Sequence, residues 1–168
     1  MSSPIVHLHH CAQGDFFDIN TKSQKPVWAA SFVSIYLQAV NLNCMASHLA
    51  DLLLQLVCCC SSLQVLHVST SHPLHGTANI VFPREVGTRL NWLVLHGFPC
   101  AMVDLCSFPI LRTVYLTQLD SPQVPCKVFL SESVQVFEFS GTSLFAAQNC
   151  EQLAHLAGLT KLVIAMTK

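Results

Sequence analysis

The chain is expected to fold as an α/β solenoid, with a short parallel sheet on its concave side and helices and loops on its convex side. Three observations lead there. First, the run EQLAHLAGLTKLVIA sets Leu153, Leu156, Leu159, Leu162 and Ile164 at steps of three that close with a step of two. Such a pattern describes a turn-rich coil that passes into a strand with its inward side chains apolar. Second, the spacing returns in DLCSFPILRTVYL (Leu105, Phe108, Leu111, Val114, Leu116) and in LLQLVCCCSSLQVLHV (Leu54, Val57, Cys60, Leu63, Leu66, Val68). Cys60 serves there as a small hydrophobe. Third, the leading residues Leu63, Leu111 and Leu159 stand 48 and 48 residues apart. A unit of this kind cannot bury its apolar edge alone, so it must stack on copies of itself.

Taken in order, residues 1–30 carry no repeat and form an N-terminal tail or cap, with turn-forming Gln13, Gly14, Asp15 and the 20–26 stretch. The repeat domain occupies residues 31–168, in about five to six coils. Leu37, Val40 and Leu42 are read as its first strand. Residues 46–59 predict a helix from Leu49, Leu52, Leu53 and Leu56, with Ser47 as cap. Strand LQVLHV follows, then an irregular loop over 71–87 and strand LNWLVL. The 103–108 stretch is too short for more than a helical turn, and Pro109 prevents its continuation. After strand LRTVYL, Pro122 and Pro125 force an extended connection to VQVFEF. Residues 144–156 predict a second helix ending at Gly158, and LTKLVI closes the set.

With Leu90, Leu93, Leu95 and Val134, Phe137, Phe139 included, successive coils are 26, 27, 21, 23 and 25 residues long. Over residues 37–168 the chain therefore resembles a leucine-rich repeat protein. The segment LVCCCSSLQVLHVS is similar to the cysteine-containing variety common in the substrate-recognition halves of F-box proteins. No F-box is visible in the N-terminal segment, so the resemblance concerns the repeat and not a ligase role. The family usually places Asn or Cys three residues beyond the last strand leucine, where its side chain bonds the turning backbone. Here those places hold Ser71, Phe98, Leu119, Thr142 and Thr167. Ser and Thr substitute in part; at Phe98 and Leu119 the backbone must be satisfied another way.

Alternation along each strand assigns the residues between the leucines to the concave face. That gives Val65, His67, Ser69; Trp92, Val94, His96; Thr113, Tyr115, Thr117; Val136, Glu138, Ser140; and Lys161, Val163, Ala165. The Leu37 register adds Ala39, Asn41 and Asn43. The candidate partner-binding set is His67, Trp92, Val94, His96, Thr113, Tyr115, Thr117, Glu138 and Lys161. Trp92 and Tyr115 lead it, because aromatics with polar tips dominate binding energy. The competing expectation for Trp92 is cover by the 71–87 loop.

Composition narrows the function. The chain has 168 residues, 52% hydrophobic and 10% charged, and a net charge of −1 without a basic block. Disorder and nucleic-acid binding are not expected. Nor is a membrane span, since the longest apolar stretch is broken at Gln55. The N-terminus lacks a basic region followed by an apolar run, so cytosol or nucleus is expected, with the nine cysteines reduced. Catalysis is not expected: no cysteine lies in a nucleophile signature, and phosphate loops and G-x-S-x-G are missing. No cofactor is expected. Two alternatives stand beside a repeat scaffold that binds a protein partner. High apolarity points to a membrane-surface or lipid-associated protein. His7, His9, His10 and Cys11 point to a Cys/His metal-binding protein, though no second ligand pair stands at a zinc-site spacing. The last strand is expected to present an open edge, which either pairs with a second molecule or belongs to a longer array.

Overall fold

A computed structural model describes residues 5–10, 34–39, 46–70, 75–83, 89–97, 99–119, 124–141 and 152–166. Seven strands form one parallel sheet: β1 (Ile5–His10), β2 (Ser34–Ala39), β3 (Val65–Thr70), β5 (Trp92–His96), β7 (Thr113–Thr117), β9 (Val136–Gly141) and β10 (Lys161–Met166), in that spatial order. A second parallel sheet pairs β4 (Ala78–Val81), β6 (Cys100–Asp104) and β8 (Lys127–Phe129). The chain passes from one sheet to the other and back, so each coil stacks on the one before. This is a solenoid of parallel strands.

Stacking from β3 onward keeps the expected register. The carbonyls of Gln64, Asn91, Arg112 and Gln135 each accept two successive N–H groups from the next coil: Asn91 and Trp92, Arg112 and Thr113, Gln135 and Val136, Thr160 and Lys161. Those four acceptors each follow directly on Leu63, Leu90, Leu111 and Val134, the residues that with Leu159 set the repeat. The strands themselves begin two residues after these leucines, which lead into them from the corner. Side chains then form continuous inward columns, Leu66–Leu93–Val114–Phe137 and Val68–Leu95–Leu116–Phe139, all buried.

The only helix longer than one turn among the described residues is α1 (Ala46–Cys59). Ala46, Leu49, Ala50, Leu53 and Val57 lie on one stripe and are buried, whereas Ser47, Asp51 and Gln55 face solvent. Ser47 is not the cap. The helix starts one residue earlier, and the Ala46 amide donates to the His75 carbonyl at 3.0 Å.

Two sequence expectations need correction. In the middle coils the convex side is a sheet, not helices and loops. The return segments ANIV, CAMVD and KVF are short, β-branched in part and bounded by Pro83, Pro99, Pro109 and Pro125. Segments of three to five residues are too short for a stable helix, and Ile80, Val103 and Val128 stack instead as a buried column. The Leu37 register is also wrong. Ile35 pairs with Leu66 and Leu37 with Val68, so Ser34, Tyr36 and Gln38 take the places assigned to Ala39, Asn41 and Asn43. An odd shift of this kind exchanges the faces of a strand. Part of the N-terminal segment joins the sheet, with β1 parallel to β2. Most of the second expected helix lies outside the described residues; 152–154 form a single helical turn.

Corners are closed mainly by backbone. Gly97 N–H donates to Thr117 O at 2.9 Å, Gln118 N–H to Ser140 O at 2.8 Å and Cys100 N–H to Leu119 O at 2.7 Å. Leu119, whose carbonyl accepts that last bond, is buried in the core. Gly97 turns with φ 69°, and a Cβ there would lie 2.5 Å from Thr70 Oγ1, so glycine is required. The Thr70 hydroxyl donates to the Gly97 carbonyl across this close approach. Before β9, Ser133 Oγ donates to Leu111 O at 2.9 Å, a polar tie between consecutive coils.

The sheet ends at β10, where the column residues lose their cover. Leu162 is 46% and Met166 64% exposed, although their Cα partners Phe137 and Gly141 are buried. No described helix is long and apolar enough to cross a membrane.

Candidate functional site

Three rows of side chains cross the outer face of the large sheet, at the strand spacing of about 4.8 Å. The first runs Val65, Trp92, Thr113, Val136, Lys161; the second Tyr36, His67, Val94, Tyr115, Glu138, Val163; the third Ser69, His96, Thr117, Ser140, Ala165. All nine expected face residues occupy it: His67, Trp92, Val94, His96, Thr113, Tyr115, Thr117, Glu138 and Lys161. None of them is buried. Strand alternation was enough to find them. Tyr36 is the residue the sequence reading missed. The S-I-Y-L-Q alternation of β2 carries the signal, which the longer L-x-x-L-x-L template obscured.

Trp92 dominates this face. It keeps 44% of its surface exposed; much of the 71–87 loop expected to cover it lies outside the described residues. Its ring lies 5.8 Å from that of Tyr115, tilted by 33°. The two residues sit diagonally on neighbouring strands, since Trp92 is opposite Thr113 and Tyr115 opposite Val94. Side chains that lock each other in this way meet a ligand with little loss of rotamer freedom. Glu138 stands directly across from Tyr115 on β9.

A second cluster adjoins it. Tyr36 and His67 rings are 5.6 Å apart, tilted by 51°. His96 Nδ1 and Thr117 Oγ1 share a hydrogen bond of 2.6 Å, which holds the imidazole against the sheet. Burial, and then the charge of His96, hold the His67 imidazole below its ordinary value of 6.5. In the unfolded chain His67 takes up its proton near that value, so acid favours unfolding. Stability should therefore decline as the pH falls below about 6.5, and His67→Gln should flatten that decline. Urea unfolding at about pH 7 and about pH 5, wild type against variant, measures both.

The described cysteines carry thiols. Burial, and then the neighbouring Cys126, push the Cys100 thiol well up, so it is inert. Cys106 is exposed on the turn after β6, where its amide donates to Asp104 Oδ1 at 3.0 Å. Its thiol too is pushed up, first by partial burial, then by the hydrogen bond and charge of Asp104. Asp104→Asn keeps an acceptor for the turn and removes the charge. Alkylation of Cys106 should then run severalfold faster at neutral pH, followed by peptide mass spectrometry; an unchanged rate would refute the Asp104 effect.

Among the described residues, no three His, Cys, Asp or Glu side chains are grouped to hold a metal ion. The side chains of His7, His9, His10 and Cys11 lie outside the described residues; the backbone register sets His7 opposite Tyr36 and His9 opposite Gln38. None of the protein-family models, curated proteins or solved structures compared matches the chain.

Proposed function

We propose that this chain is a non-catalytic recognition module of the leucine-rich-repeat kind, which binds a protein partner on the outer face of its seven-stranded sheet. One observation carries the reading. On this face Trp92 stands exposed, with its ring 5.8 Å from that of Tyr115. Hydrogen-bonded parallel strands place such residues rigidly, and a large amphipathic pair on a rigid floor is the typical make-up of a binding hot spot. The His96–Thr117 pair and Ser69 supply a polar rim. The thiols of Cys60, Cys100 and Cys126, buried in the core, suit a reducing cytosolic setting.

The test is affinity capture with wild type, with Trp92→Ala/Tyr115→Ala, and with Lys127→Glu on the second sheet as control. A specific partner should be held by wild type and by the control, and lost by the double variant. A partner retained by the double variant defeats the proposal.

A further inference from the structure

Trp92, Tyr115 and Glu138 stand on three successive strands, β5, β7 and β9, with Tyr115 in the middle. Two strand spacings, about 10 Å, separate the first strand from the third. Across that distance the face changes from two electron-rich ring surfaces to a carboxylate. Glu138 makes no ion pair with a described residue. Lys161, the nearest basic side chain on the face, stands one strand further out, opposite Val136 rather than Glu138. The aromatic pair and the carboxylate thus share an unanswered preference for positive charge. Ring faces attract a cation through their quadrupole, most strongly at Trp. A carboxylate at the far end supplies a charged acceptor. A planar cation suits both parts, since it stacks on a ring while its N–H fork reaches the carboxylate.

We propose that these three side chains seat an arginine side chain of the protein partner, with the guanidinium over Tyr115, Trp92 flanking it and Glu138 accepting its hydrogen bonds. The inference rests on the reading of this face as a protein-binding surface and adds the chemistry of its anchor. Lys is the weaker occupant, because its compact, strongly hydrated ammonium gains less from stacking. Acidic partners are disfavoured by Glu138. Protonation of His67, directly opposite Val94 on the neighbouring strand, opposes a cation, so binding should weaken in acid.

A random peptide library displayed on phage and panned on the full chain supplies the probe. Selected peptides are resynthesised with arginine and with its neutral isostere citrulline, and are titrated against wild type, Glu138→Gln and Trp92→Ala/Tyr115→Ala. The expected result is arginine-containing peptides that lose about tenfold in affinity on citrulline replacement and about tenfold on Glu138→Gln, the two losses not adding. Peptides that need Trp92 and Tyr115 but tolerate citrulline and Glu138→Gln overturn the arginine site and leave the binding face standing. Peptides that ignore the aromatic pair, or a library that yields no specific binder, overturn both.

Discussion

Phe137→Ala should cost about 3–5 kcal/mol, whereas Leu162→Ala, at the equivalent place one coil later, should cost less than about 1 kcal/mol. Phe137 is fully buried, with Val114 on one side and Leu162 on the other in the same inward column. Truncating it removes the transfer free energy of a ring. It also leaves a cavity that two neighbouring coils, each pinned by backbone hydrogen bonds, cannot close. Among the described residues Leu162 has a coil on one side only, and it keeps 46% of its surface in water. Its removal leaves no enclosed void. Thermal unfolding reads the contrast directly: a midpoint shift of roughly 10 °C for Phe137→Ala and a small one for Leu162→Ala. Equal shifts would mean that the last coil is covered as fully as the one before it.

Loss of binding in Trp92→Ala/Tyr115→Ala should be at least about a hundredfold, close to 2.8 kcal/mol at about 1.4 kcal/mol per tenfold. Each truncation at a hot spot costs about 2 kcal/mol or more, and the two rings share contacts, so their effects overlap. The fold should survive. Both side chains point away from the core, so the change opens no cavity there; it removes the mutual ring contact, worth about 0.5–1.5 kcal/mol, and part of their packing on neighbouring strands. Circular dichroism and the melting midpoint distinguish lost recognition from lost structure. A double variant that melts like the wild type yet still holds its partner would place the binding surface elsewhere.

Much of this architecture could be read before any coordinates. Between Leu63 and Leu159 the leucine spacing reports the coil lengths, because each coil must return an apolar side chain to the same column. The helix over 46–59 was legible from its stripe, and the face columns from strand alternation. These are properties of periodicity, and periodicity is local. The register of β2 was not legible, because YLQAVNLN fits the repeat template as well as SIYLQA fits a strand. Only pairing with β3, which buries Leu66 and Val68, separates the two.

Sequence alone thus determined that the chain stacks, with what period, and which side chains share a face. Tertiary structure decided what lies behind that face, since ANIV, CAMVD and KVF are too short to declare themselves and become strands only where a neighbouring coil accepts their hydrogen bonds. It decided as well that Trp92 leans towards Tyr115, that Asp104 restrains Cys106, and that Leu162 and Met166 stay uncovered. Those outcomes depend on residues distant in the chain meeting across coils, where packing and hydrogen bonding rather than spacing set the result.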